Sequence, residues 1–137
     1  MRVFLDANIL FSGSFPKSLL SEFLDNLKDH AELLSNAYAL SEAERNLEAK
    51  MPRNLPKFRK LANTLTLVPI QLFDLEVPLA GKDQLILCGA ISGETDFLLT
   101  GDKKDFGHLF GKTVSGVKIV SVQLLIEELE KRGILGE

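Results

Sequence analysis

Phe97-Leu98-Leu99-Thr100-Gly101-Asp102 decides how the chain is read. A short apolar run, with Phe97–Thr100 as its strand, gives way to a glycine and an acid, so a buried strand ends on a turn that carries a carboxylate. The chain opens in the same manner. Arg2–Leu5 reads as a strand, stops at Asp6 and leads into Ala7-Asn8. Between these two, helical spacing of leucine and phenylalanine marks Ser18–Lys28 as a helix. Glu32–Leu34 reads as a second strand, and Ser35 or Asn36 can cap a helix that runs to about Lys50, ahead of Pro52. Pro56–Thr64 reads as a helix, Leu65–Ile70 as a strand and Phe73–Gly81 as a turn-rich connection. Asp83 is placed to cap an apolar helix, Gln84–Ser92, ended by Gly93. Gly101–Gly107 reads as a polar turn, Val117–Val120 as the last strand, and Ser121 as the cap of a final helix through Lys131. Strands alternating with helices indicate an α/β fold with a mainly parallel sheet.

Composition agrees. The chain has 137 residues, 45% hydrophobic and 26% charged, which fits one globular domain over 1–137. A domain of this size buries roughly two-thirds of its unfolded surface, so it needs neither disulfide nor structural metal to fold. The single cysteine, Cys88, excludes an intrachain disulfide and a CxxC site and fits a reducing compartment. The longest stretch free of charge, Leu61 to Phe73, is too short for a membrane span and holds Pro69. No signal-peptide pattern opens the sequence, so the expected location is cytoplasmic, with no membrane association. The net charge of −3 excludes nucleic-acid binding by bulk charge. A basic rim beside an acidic site is still allowed.

In parallel α/β sheets the site lies beyond the carboxyl ends of the strands. Asp6 follows the first strand, Asp102 and Asp105 follow Phe97–Thr100, Asp83 opens the buried helix, and Glu42 and Glu44 lie on the helix after the second strand. Four or five carboxylates at one sheet edge cannot all stay ionised without a cation. Oxygen donors of this kind suit Mg²⁺ or Mn²⁺. His30, His108 and Cys88 cannot build an ordinary zinc site. No Ser-His-Asp arrangement or P-loop spacing is evident. Phosphodiester hydrolysis by metal-activated water is the economical reading.

Each acid also has an ordinary use. Asp6 can simply end a strand, Asp83 can simply cap a helix, and Asp102 and Asp105 can be turn acids. Asp96 precedes its strand and is read as structural. Periodicity does not choose between Glu42 and Glu44: Glu44 lies nearer the apolar face of Leu40, Ala43 and Leu47, and Glu42 lies on the side of Tyr38 and Ala39.

Four stretches together resemble the PIN-domain nucleases. They are Val3-Phe4-Leu5-Asp6-Ala7-Asn8-Ile9-Leu10, Tyr38-Ala39-Leu40-Ser41-Glu42-Ala43-Glu44-Arg45-Asn46-Leu47, Lys82-Asp83-Gln84-Leu85-Ile86-Leu87 and Phe97-Leu98-Leu99-Thr100-Gly101-Asp102-Lys103-Lys104-Asp105-Phe106. The likeness covers essentially the whole chain and is nearest to the small prokaryotic PIN proteins found as toxins of toxin–antitoxin pairs. It implies a single-domain α/β/α sandwich with the first and fourth strands adjacent at the centre of the sheet. It implies that Asp6, Glu42, Asp83 and Asp102 are catalytic and hold Mg²⁺ or Mn²⁺, with Asp105 as an outer acid and Asn8 and Thr100 as supports. The implied activity is an endoribonuclease acting on single-stranded RNA, with an antitoxin protein and a second copy of the chain as partners. Arg45, Lys103 and Lys104 are candidates for phosphate contact. The ten aromatic residues are expected in the core.

Two rivals stand beside this reading. A phosphatase with an aspartyl nucleophile of the haloacid-dehalogenase type wants a second Asp two residues after the first, where this chain has Asn8. A non-catalytic PIN-like nucleic-acid-binding or scaffold module would lack motif acids, and all four are present here.

Overall fold

The computed structural model describes residues 1–134, so the last three residues of the expected 1–137 domain lie outside the described residues. Six strands form one sheet: β1 (Arg2–Leu5), β2 (Glu32–Ser35), β3 (Thr66–Leu67), β4 (Phe97–Leu99), β5 (Thr113–Val114) and β6 (Val117–Val120). Their order is β3-β2-β1-β4-β6-β5, and every pairing is parallel except β5 with β6. Among the described residues seven α-helices accompany them: α1 (Ala7–Ser12), α2 (Leu19–Leu27), α3 (Ala37–Lys50), α4 (Leu55–Ala62), α5 (Gly81–Ser92), α6 (Lys103–Phe106) and α7 (Val122–Lys131).

The sheet is parallel because its central strands are apolar on both faces. Val3, Phe4 and Leu5 are fully buried, as are Leu98 and Leu99, and helices cover them in the α/β/α layering. On one face the ring of Phe4 sits against Gly89 of α5, where a β carbon would lie 2.9 Å from the ring. A glycine there lets helix and strand approach closely. The registers Val3↔Phe97 and Leu5↔Leu99 align β1 with β4, and the Asp6 amide continues the ladder to the Leu99 carbonyl at 3.1 Å. Asp6 and Thr100 therefore leave the sheet side by side.

Several local readings change. α1 was not expected. It starts because the Asp6 carboxylate accepts from the Ala7 amide at 2.6 Å, which caps a six-residue helix directly at the strand end. β3 is only two residues long, not Leu65–Ile70. The Val68 amide still bonds the Ser35 carbonyl, but Pro69 has no N–H and ends the ladder. The stretch after Gly101 is not a plain turn. Asp102 caps α6 by accepting from the Asp105 amide at 2.9 Å, and a short 3-10 turn follows at Gly107–Leu109. β5 and β6 form an unexpected hairpin through Ser115 and Gly116, both with positive φ (48 and 87), the geometry of a two-residue turn between twisted strands. Of the two candidates Ser35 and Asn36, Asn36 caps α3, Ser121 caps α7 as expected, and Ser18 stands just outside α2 as its cap. No helix among the described residues is long and apolar enough to cross a membrane.

Candidate metal centre

Asp83 is the largest departure from the sequence reading. It does not cap α5. Ala80 is the cap residue, in extended conformation, so the helix starts at Gly81 and Asp83 lies inside its first turn. The backbone amides of Asp83 and Gln84 already bond the Ala80 carbonyl at 3.0 Å, and the Asp83 side chain is left free of capping duty. It is buried at 4% exposure, and its Oδ2 has no hydrogen-bond partner. Burial, followed by repulsion from Asp105, pushes its carboxyl up to about 7.

Asp6 is equally buried but better served. Its Oδ2 accepts from the Thr100 hydroxyl at 2.8 Å and the Asn8 amide at 3.2 Å, and its Oδ1 from the Ala7 amide. Burial raises its pKa, and these three hydrogen bonds oppose the rise. Asn8 also accepts from the Gly101 amide at 2.7 Å, and Thr100 Oγ1 accepts from the Asp102 amide at 3.1 Å. The ends of β1 and β4 are thus tied together by two polar side chains, which fixes the direction of both acids.

Asp83, Asp102 and Asp105 converge: one carboxylate oxygen from each lies within 4.8 Å of the other two. Asp105 is therefore a member of the tight group and not only an outer acid. Asp6, Asp83 and Asp102 line one pocket of about 270 Å³, and Glu42 on α3 lines it too. Glu44, also on α3, does not line it. Arg45, Lys103 and Lys104 are exposed and line no part of it.

Lys82 and Lys50 do line this pocket, and the sequence reading passed over both. Lys82 Nζ lies 3.7 Å from Asp105 and is held more basic than usual, first by Asp105 and then by Asp83. Tyr38 and Asn46 were missed as lining residues as well. The signal was present: residues 38, 42, 46 and 50 recur every four positions, which puts them along one helix face.

Three clustered carboxylates, two more around the same pocket and a buried oxygen without a donor fit a hard divalent cation of the Mg²⁺ or Mn²⁺ type. Asp83, Asp102 and Asp105 are placed to hold it, with Asp6 and Glu42 around the same pocket. One exposed ammonium, that of Lys82, does not neutralise such a group.

The strand order, the parallel sheet and the helical layers define a PIN-like α/β/α fold. No family model matches the chain, and no curated protein matches it in sequence. Among solved structures it is similar to VapBC2 from Rickettsia felis bound to a DNA fragment from their promoter, with a TM-score of 0.67 over 88% of this chain and 98% of that chain. The two are 16% identical, so the likeness is one of fold.

Proposed function

We propose that the chain is a metal-dependent endoribonuclease that hydrolyses phosphodiesters of single-stranded RNA. The observation that carries this reading is the buried, partnerless Oδ2 of Asp83 among acids at the carboxyl edge of the sheet. A divalent ion held there would supply an activated water and charge stabilisation at the phosphodiester. Asp6, Asp83, Asp102 and Asp105 would hold it, with Glu42 facing the same space. Asn8 and Thr100 keep Asp6 aimed by donating to its Oδ2, and Thr100 also fixes the backbone at Asp102. Lys82 lies 3.7 Å from Asp105 and would offer a counter-charge to a phosphate beside the acids. The four sequence motifs and the PIN-like fold support the same reading.

The proposal extends to partners. The fold neighbour VapBC2 supports a toxin–antitoxin setting, with a small antitoxin protein as partner, and the resemblance of the motifs adds pairing with a second copy of the chain. A sedimentation mass of twice 15.2 kDa is expected for that pair, and a monomer would end that part of the proposal.

The test is cleavage of end-labelled single-stranded RNA in Mg²⁺ or Mn²⁺, comparing wild type, wild type in EDTA and Asp6→Asn. Cleavage that requires both metal and Asp6 supports the reading. A wild type that neither cleaves RNA nor binds Mn²⁺ overturns it and favours a non-catalytic binding module.

A further inference from the structure

The pocket that holds the acids has a second wall. Along α3, Tyr38, Asn46 and Lys50 line it in the same row as Glu42. Side chains four apart share a helix face, and the row from 38 to 50 runs about 18 Å along the axis. Asn36 caps α3 immediately after β2, so Tyr38 stands at the carboxyl edge of the sheet and Lys50 at the far end of the row. Phe11 of α1 lines the pocket as well, its ring set by an edge contact with Phe15 at 5.3 Å. Both Phe11 and Tyr38 are partly buried: each packs against the core and still presents a side to the pocket. Glu42 lies between Tyr38 and Asn46 in the row, so the two aromatic side chains border the acids, and the Asn46 amide and the Lys50 ammonium lie beyond Glu42.

We propose that this wall is a nucleotide subsite: Phe11 and Tyr38 take one unpaired base by stacking, Asn46 hydrogen-bonds the base or ribose, and Lys50 meets a phosphate further along the strand. The inference rests on the nuclease reading for its substrate and adds how that substrate is held. The chemistry follows from the residue types. Aromatic rings stack on any base, amides read polar edges, and ammonium groups contact phosphate. A pocket of about 270 Å³ has room for a single base. Bases must be unpaired to reach aromatic side chains, so the subsite selects single strands over duplex.

The chain supplies its own probe. It has no tryptophan and one tyrosine, so its intrinsic fluorescence comes from Tyr38 alone. The experiment uses the Asp83→Asn variant in Mg²⁺, to prevent cleavage, titrated with hexaadenylate, with an abasic hexamer of the same backbone and with a six-base-pair RNA duplex. Tyrosine emission, corrected for absorption by the nucleotides, reads stacking. Anisotropy of dye-labelled RNA reads affinity. Hexaadenylate is expected to quench Tyr38 strongly and the abasic hexamer and duplex weakly. Tyr38→Leu and Phe11→Leu are expected to weaken hexaadenylate binding roughly tenfold. Tyr38→Phe should retain it, because the ring remains. Lys50→Gln should lower the salt dependence of binding by about one ion.

Equal quenching by the abasic hexamer, or unchanged affinity in Tyr38→Leu, overturns the subsite. If Tyr38→Leu fails to fold, the quenching comparison on the parent variant decides alone. Metal-dependent cleavage with no base-dependent quenching removes the subsite and leaves the nuclease standing. Base-dependent quenching without any metal-dependent cleavage by wild type keeps the subsite and removes the nuclease.

Discussion

The two edges of the sheet both carry acids and treat them in opposite ways. At the amino edge, Glu32 pairs with the Arg2 guanidinium and also accepts from the Thr66 hydroxyl at 2.8 Å. Asp96 accepts from the Arg2 amide at 2.8 Å, and the same guanidinium spans to the Gly93 carbonyl. These acids are exposed and matched. At the carboxyl edge Asp6 and Asp83 are buried, Asp105 and Asp6 press on Asp83, and Lys82 is the cation that reaches the cluster, at 3.7 Å from Asp105. One edge is complete as it stands. The other holds more negative charge than its own side chains compensate. Acid content alone does not mark a site; uncompensated, buried acid does.

The comparison breaks first on catalysis. Asp6→Asn and Asp83→Asn should each reduce RNA cleavage by on the order of 10³-fold, since each removes an anionic group from the pocket that activates the reaction. Asp96→Asn, from the matched edge, should cleave as wild type does. Loss of cleavage in Asp96→Asn with the fold intact, read by single-turnover kinetics, would erase the distinction between the edges.

It sharpens next on stability. Asp83 holds its carboxyl at about 7 when folded against 3.8 for an ordinary aspartate. Between those values the folded chain keeps a proton that the unfolded chain has lost. The stability this group allows is full below about pH 4 and falls as pH rises through 7. In EDTA at pH 8, Asp83→Asn should therefore melt about 4 °C above wild type, on the order of 1 kcal/mol, and the gap should close toward pH 4. Arg2→Met should act in the other direction, costing about 1 kcal/mol at pH 7 because Glu32 and the Gly93 carbonyl lose their donor. Thermal melts in a pH series read both. A gap for Asp83→Asn that widens on acidification would contradict the account.

The smallest effect separates two neighbours. Glu42→Gln should impair cleavage measurably, and Glu44→Gln should stay within about twofold of wild type, as surface substitutions away from a site do. Steady-state rates on the same RNA decide. Equal impairment would place both residues at the pocket.

The fold was readable in the sequence wherever apolar runs are continuous. Val3–Leu5 and Phe97–Leu99 have no alternative to a buried parallel sheet, and Asp6 and Asp102 follow from where those strands stop. What was not readable depended on tertiary choices. Asp83 has the right residue type for a cap, but the bend at Ala80 starts the helix earlier and turns the acid inward. Asp105 looks like a turn acid until α6 forms and swings it toward Asp83. α1 is too short for periodicity, and its only sign was the Asp-x-Asn at the strand end. Lys82 and Lys50 could have been found by stepping along the helix from Glu42 and by asking which cation borders Asp83.

The central claim is that the carboxyl edge is built for a divalent cation. Calorimetric titration of Mn²⁺ into wild type, Asp83→Asn and Asp96→Asn at pH 8 tests it most directly. The account predicts saturable binding by wild type and Asp96→Asn and at least a tenfold loss of affinity in Asp83→Asn. Binding of equal strength in all three, or no saturable binding by wild type, would contradict it.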